Sequence, residues 1–257
     1  QGHHGIETVS SLSDAGIRAA VVCTFAAAGT VTLMSLLKIP VSTSQMMISA
    51  VVGLGLYRQN ANLEPLAKIV LCWVLNPVGA MLVTALLYLV LHRLVRWLRP
   101  SVFTLDPVLR LGLVVCGCYG AYALGANGVA IVCAVFVGDG PGMVSANQGA
   151  LLGGIAIGIG AITYSKRVMM TVGKGVVHLD ALTAFIAVLS LAVTVHIFAL
   201  IGVPVSTSQT IVGGLLGISL VKGLQIVNLR QLSRILVWWL VSPVIAGVVA
   251  IGLWLLV

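Results

Sequence analysis

Two identical clusters of hydroxyl side chains are the residues in this sequence best suited to chemistry. Pro40-Val41-Ser42-Thr43-Ser44-Gln45 returns letter for letter as Pro204-Val205-Ser206-Thr207-Ser208-Gln209. Each copy lies in apolar sequence and leads into a Gly-rich run, Ser49 to Tyr57 and Gly213 to Leu220. In hydrocarbon, such groups must find partners or line a wet cavity. A proline in or just before the first helical turn leaves the following serines and threonine to cap the helix. The free N–H groups at that end then attract anions, aided by the positive pole of the helix. Two such ends facing each other offer converging donors without a buried basic charge. That suits a tetrahedral oxyanion that must bind and then leave. It suits a cation poorly, because no Asp or Glu lies within a deep apolar stretch. The alternative is that Ser and Thr bond the carbonyls of the preceding turn in a kinked helix. Recurrence at matching places favours the anion site, with Ser42, Thr43, Ser44, Gln45, Ser206, Thr207, Ser208 and Gln209 as its residues. The two glutamines do not titrate and are contacts at most.

Gly125-Ala126-Asn127-Gly128 reads as a helix break carrying one amide side chain. An intramembrane Asn is expensive and faces the protein interior or a cavity. Carbonyls exposed at such a break could hold a cation or a water, which makes Gly125, Ala126 and Asn127 candidates for a near-site or cation-binding role. The alternative is a packing kink. His196, deep in a span, reads as a structural hydrogen-bonding group, with a proton relay as the alternative. The five cysteines lie in apolar segments. Cys116-x-Cys118 has no second pair, so they read as packing residues rather than metal ligands. His3-His4 reads as an exposed pair.

These residues must be positioned by membrane helices. Of the 257 residues, 60% are hydrophobic and only 8% charged; soluble domains carry about 25% charged residues. Apolar runs reach the ~20 residues needed to span a bilayer, and the alternation of a membrane barrel is absent. The fold class is all-α integral membrane. Spans are expected at residues 17–37, 40–57, 69–91, 111–137, 147–164, 179–203, 204–221 and 235–257. The net charge of +8 comes from residues confined to loops. It reads as a topology signal, not as a nucleic-acid footprint.

The repeat extends beyond the hydroxyl clusters. Thr8-Val9-Ser10 matches Thr171-Val172-Gly173, Gly53 falls opposite Gly217, and Trp73 to Val78 matches Trp239 to Val244. The offsets are 163, 164 and 166 residues. The expected organisation is a first repeat over 1–91, a cytoplasmic basic linker over 92–110 and a second repeat over 111–257. With the 92–110 loop in the cytoplasm, eleven of the 14 basic residues share that side, and only Arg18, Arg58 and Lys68 fall outside. The loop at 1–16 is then outside and its counterpart at 165–178 inside. The repeats are therefore inverted, with broken helices meeting at a midplane site. Only seven residues precede Thr8, against about sixty in the second repeat before Thr171. Two spans are expected to be missing from the front of the first copy.

On these motifs the chain resembles the inorganic phosphate transporter (PiT) family, which includes sulfate permeases. The family carries a Gly-Ala-Asn-Asp-Val-Ala-Asn break and a Pro-Val-Ser-Thr-Thr-His-like segment in each of two inverted copies. Residues 125–130 match the first motif, and residues 40–45 and 204–209 match the second. The resemblance implies uptake of an oxyanion coupled to Na⁺ or H⁺, by a homodimer, with no further cofactor. Gly128 and Ile131 stand where the family has the Asp and the second Asn that help hold the coupling cation. This leaves H⁺ coupling, or none, open beside Na⁺.

The reading is a secondary transporter of inorganic phosphate in the cell membrane, in contact with lipid and not with nucleic acid. A sulfate permease of the same family is the nearest alternative, and a non-transporting membrane scaffold or remnant the more distant one. An intramembrane hydrolase would need a Ser-His pair or paired Asp residues within spans, and neither motif is present, so the chain does not read as an enzyme.

Overall fold

The computed structural model describes residues 3–12, 16–37, 39, 41–138, 141–175, 180–223 and 228–257, without the side chains of 3–5, 7, 102 and 164–175. The elements are α1 (His3–Ser10), α2 (Ile17–Leu36), α3 (Thr43–Tyr57), α4 (Glu64–Leu98), α5 (Val102–Cys133), a 3-10 turn (Ala134–Phe136), α6 (Ala146–Gly175), α7 (Ala181–Ile201), α8 (Thr207–Lys222) and α9 (Leu229–Leu256). Six of them are long and apolar enough to cross a membrane: α2, α4, the α5 segment, α6, α7 and α9. Their outer faces carry large exposed apolar side chains such as Leu82, Leu86, Ile162 and Leu240. Apolar residues on the outside as well as the inside are what a helix in lipid requires. The protein is an integral, multi-pass membrane protein.

The eight full crossings expected from the sequence are corrected at the two hydroxyl segments. α3 and α8 have 15 and 16 residues. At 1.5 Å per residue they reach only about 24 Å, short of the ~30 Å hydrocarbon core. They are the return arms of hairpins. In the first, the Asn62 N–H after α3 donates to the Leu12 carbonyl before α2 at 2.8 Å. In the second, Lys222 at the end of α8 lies 2.5 Å from Asp180 at the start of α7. Each hairpin is thus closed at its open end. The tips meet, because Ser44 Oγ donates to the Val205 carbonyl at 2.8 Å. A hairpin returns to the side it enters, so replacing a pair of full crossings by a hairpin leaves the sidedness expected of the flanking loops unchanged.

The packing has the same internal exchange. α3 lies on α9, and α8 lies on α4; α2 packs on α3 and α9, and α7 packs on α8 and α4. Replacing α2–α3–α4 by α7–α8–α9 reproduces this pattern, as two copies of one unit require. Contact is backbone to backbone at glycines. A Cβ on Gly213 would fall 2.2 Å from the Pro77 carbonyl oxygen, and one on Gly217 would fall 2.4 Å from that of Met81. On the other side, a Cβ on Gly53 would meet Gly247 Cα at 2.8 Å. Small residues let helices approach closely where no hydrophobic force drives them together.

Local sequence sets the helix ends. Gly202, at φ 77°, terminates α7, with its own N–H and that of Val203 returning to Ala199 and Phe198. Asp180 opens α7 with a capping box to Thr183. The segment expected as a basic linker is mostly helical: α4 runs to Leu98, Arg99 takes the left-handed conformation at φ 44°, and α5 begins at Val102. The expected break at Gly125-Ala126-Asn127-Gly128 is absent. α5 is continuous to Cys133, so its carbonyls there are spent within the helix. Lys38, Pro40 and Asp139 lie outside the described residues, as do the side chains of His3, His4, Lys166, Arg167 and Lys174.

Two outcomes follow. Gly213→Val or Gly217→Leu forces α8 off the α4 backbone, costing about 3 kcal/mol, at the upper end for overpacking. Thermal unfolding in detergent checks this against Gly252→Ala, where a Cβ meets nothing and stability is expected to hold. At Asp180 burial raises the carboxyl pKa, but the Lys222 hydrogen bond and those from Thr183 outweigh it, and the net shift is downward. A carboxylate with a lowered folded pKa adds stability above its unfolded value and loses it as pH falls through the folded one. Asp180→Asn keeps the cap and removes the charge. It is expected to lower stability slightly near neutral pH, by less than about 1 kcal/mol for so exposed a pair. The two proteins should converge in acid below the carboxylate range.

Candidate functional site

The site forms where the two hairpins turn. Ser42 and Ser206 hold the N-cap position of α3 and α8, each in extended backbone conformation, and each Oγ accepts from the N–H of the glutamine three residues on, at 3.2 Å. The repeated sequence therefore gives the same local structure twice. Hydroxyls at N-caps satisfy one of the four unpaired donors of a helix start. The remaining N–H groups of both first turns point toward the tip region, and the helix poles add positive potential there.

The second tip is held by amide side chains. Asn127 of α5 pairs with Val205 as one peptide group pairs with another: Nδ2 donates to the Val205 carbonyl and Oδ1 accepts from its N–H, both at 3.0 Å. Asn76 of α4 donates from Nδ2 to the Ser206 carbonyl at 2.8 Å. Thr210 Oγ1 lies 2.9 Å from both Asn76 Oδ1 and the Ser206 carbonyl, so its single proton is shared. Trp73 Nε1 donates to the Pro204 carbonyl at 3.2 Å, and Thr8 Oγ1 to that of Gly202 at 2.8 Å. Residues 202–206 thus run through the interior, with the carbonyls of Gly202, Pro204, Val205 and Ser206 bonded by side chains from α1, α4, α5 and α8, and at Val205 by Ser44 of α3 as well.

This network sorts the candidates. Ser44 is buried, and its proton is committed to Val205. Ser42 and Ser206 are buried caps, and Ser206 Oγ lies 3.0 Å from Ser208 Oγ. Thr43 is exposed, and Thr207 and Ser208 are half-buried, so these three hydroxyls remain accessible. Gln45 and Gln209 are buried. Asn127 is buried beside the tip, while Gly125 and Ala126 are half-buried on the same helix. A void of about 10 Å³ lies between Ala126, Asn127 and Ala130 of α5 and Ala199, Gly202 and Pro204 of the second hairpin. It has room for about one water, far less than a tetrahedral oxyanion needs.

Other groups fall away from this cluster. His196 of α7 has Nδ1 2.6 Å from Tyr119 Oη, and the edges of Tyr119 and Tyr122 lie against its ring. Cys133 donates to the Gly149 carbonyl at 2.9 Å, a packing role. No group of three or more His, Cys, Asp or Glu able to hold a metal occurs among the described residues.

A family model described as the phosphate transporter family matches residues 3–105 and 100–250, nearly the whole chain. The chain belongs to that family. The "Putative phosphate permease" of Methanocaldococcus jannaschii is 31% identical over 242 residues, 94% of this chain and 75% of that protein. The "Sulfate permease" of Bacillus subtilis is 29% identical over 249 residues, 94% of this chain and 69% of its own length. A solved structure titled "The sodium-dependent phosphate transporter" aligns with a TM-score of 0.81 at 21% identity, over 98% of this chain and 84% of that one. The fold is shared. The resemblance drawn from the hexapeptide and the Gly-Ala-Asn motif therefore holds.

Asn76, Thr210, Trp73 and Thr8 were not among the site residues expected from sequence. One signal for Asn76 was available: an amide inside an apolar run, directly before Pro77, must find partners. Asn127→Leu would leave the Val205 N–H buried without an acceptor and remove one of two donors to its carbonyl. The expected loss is about 2–4 kcal/mol, read as a fall in the unfolding temperature in detergent.

Proposed function

We propose that this protein is a secondary active transporter of inorganic phosphate across the cell membrane, using the two hairpin tips as its anion site. The observation that carries the reading is the contact of the two tips through Ser44 and Val205. It brings two uncharged helix starts together at mid-depth, where backbone N–H groups and hydroxyls can receive an oxyanion. Membership of the phosphate transporter family supports the same substrate class. Thr43, Thr207 and Ser208 are the hydroxyls that meet the anion first. Ser42, Ser44, Ser206 and Asn127 hold the tips, and the first repeat, the 92–110 segment and the second repeat act as two opposed halves and their connection.

In this reading the anion enters from one side, separates the tips and replaces water with fixed donors. It leaves toward the other side when the halves rock. Neutral donors bind without trapping: each hydrogen bond to a charged acceptor contributes about 1.5–3 kcal/mol. A cation coupled to the cycle, Na⁺ or H⁺, would balance the charge of the anion in a low-dielectric site. The sodium-dependent neighbour supports Na⁺, and Gly128, with no carboxylate, supports H⁺. Two copies acting as a homodimer belong to the same proposal.

The sulfate permease among the relatives favours sulfate as the second reading. Uptake of labelled phosphate into proteoliposomes, with Na⁺ and pH gradients imposed separately, tests the first. Thr43→Val with Thr207→Val is expected to raise the phosphate KM about tenfold or more, as loss of one or two hydrogen bonds to the anion implies. Unchanged kinetics would remove these hydroxyls from the site. Sulfate abolishing phosphate uptake at a lower concentration than unlabelled phosphate would transfer the proposal to sulfate.

A further inference from the structure

The glutamines that end the two hydroxyl clusters share an unusual state. Gln45 is 5% exposed and Gln209 is 6% exposed, and Oε1 of each has no hydrogen-bond donor. Both stand at the third position of their helices, three residues after the capping serine. Ser-x-x-Gln is the sequence of a capping box, in which the glutamine oxygen should return to the backbone N–H of the cap. Half of each box is made, from the glutamine N–H to the serine Oγ. The returning half is absent in both copies.

A buried amide oxygen without a donor costs about 1–3 kcal/mol, and native structures rarely keep one without a reason. Here two occur at matching places, on the same helix faces as the caps. Thr194 Oγ1 and Trp239 Nε1 are also unpartnered, but they form no such pair. Trp73, which matches Trp239 in the repeat, has its acceptor at the Pro204 carbonyl.

At the tips the first-turn N–H groups can only donate to a ligand, and the hydroxyls of Thr43, Thr207 and Ser208 can turn to donate or accept, so only the fixed amide oxygens of Gln45 and Gln209 are obligate acceptors. Donors alone recognise any tetrahedral oxyanion. A buried acceptor recognises only one that still carries a proton. Near neutral pH inorganic phosphate carries one or two P–OH groups, whereas sulfate carries none. We infer that Gln45 and Gln209 are specificity-determining acceptors, each taking a hydrogen bond from a hydroxyl of the bound anion and so selecting protonated oxyanions over sulfate. The inference rests on the oxyanion reading and deepens it. Against sulfate, the two carbonyl oxygens face unprotonated oxygen atoms and stay unpaired. Leaving a site's buried polar groups unpaired is what makes rejection strong.

The test is calorimetric binding to the purified full chain in detergent, with phosphate, arsenate, sulfate and selenate as ligands. Arsenate carries As–OH groups as phosphate does, and selenate, like sulfate, carries none. Phosphate and arsenate are expected to bind together, about tenfold or more tighter than sulfate and selenate. Gln45→Met with Gln209→Met conserves volume and removes both acceptors. It is expected to weaken phosphate and arsenate about tenfold or more and to leave sulfate and selenate within about threefold. Sulfate and selenate matching the protonated pair in the unaltered protein overturns the inference while leaving the oxyanion site standing. So does a double substitution that weakens all four anions alike, or none. Binding of none of the four by the unaltered protein removes the oxyanion site and the inference together. Should the double variant fail to fold, the four-anion comparison on the unaltered chain still decides.

Discussion

A stretch of non-helical backbone in the middle of a membrane protein must be given hydrogen-bond partners by something other than its own helix. Everything about the hairpin tips follows from that requirement. Residues 202–206 link α7 to α8 outside either helix; the Gly202 and Val203 N–H groups still return to α7 and the Ser206 carbonyl accepts from Thr210, but the Pro204 and Val205 peptide groups have no helical partners. The Val205 peptide is completed by the Asn127 side chain, whose amide reproduces both halves of a peptide group. The Ser206 carbonyl is completed by Asn76 and Thr210. An asparagine inside hydrocarbon is costly alone, and so is a bare peptide. Set against each other, each cancels the other's penalty. The tip is therefore stable only while α4, α5 and α8 are docked, which ties the local geometry of the site to the packing of the whole chain.

The glycine contacts serve the same end by another route. For Asn76 to reach the Ser206 carbonyl at 2.8 Å, α8 must lie against α4 with almost no side chain between them. Gly213 and Gly217 allow that, meeting the Pro77 and Met81 carbonyls directly. Pro77 follows Asn76 in sequence and lies inside the long α4. It lacks an N–H, so one carbonyl a turn earlier is released from the helix ladder. A proline-bearing helix, an amide and a glycine-lined neighbour thus form one device. α9 carries Ser242 before Pro243, and Gly247 meets Gly53 of α3. Ser242 Oγ donates to the Trp238 carbonyl of its own helix, so the proline and the glycine contact recur while the side-chain bond to the tip does not.

The sequence was most informative where a residue type conflicts with its surroundings. Proline and hydroxyls in apolar sequence, doubled, marked both tips. The same logic misread residues 125–128, because Gly-Ala-Asn-Gly carries the composition of a break while the backbone of α5 is an unbroken helix. The polar group needed there is a side chain and not an exposed carbonyl, and composition does not distinguish the two. Span length was misread at α3 and α8 for a related reason. An apolar run joined to another by a short polar turn looks the same whether it crosses the bilayer or returns from the middle. Only the long-range bonds, Asn62 to Leu12, Lys222 to Asp180 and Ser44 to Val205, show that the chain turns back. Asn76 was visible in the sequence but stood among repeat landmarks, where its partners, more than 100 residues away, could not be read.

The proposed site, made of helix starts and hydroxyls with no buried lysine or arginine among the described residues, has a consequence for turnover. A fixed positive charge in a low-dielectric interior would bind an oxyanion tightly, and it would have to be desolvated again whenever the anion left. Neutral donors avoid both costs. Between ligands they can bond one another, as Ser206 and Ser208 do at 3.0 Å, and Ser44 can bond the opposite tip. The contact that closes the two hairpins thus uses the same class of group that an arriving anion would engage. Ligand entry then becomes an exchange of hydrogen bonds of similar strength rather than the making of new ones, and a small difference in free energy suffices to move the tips apart.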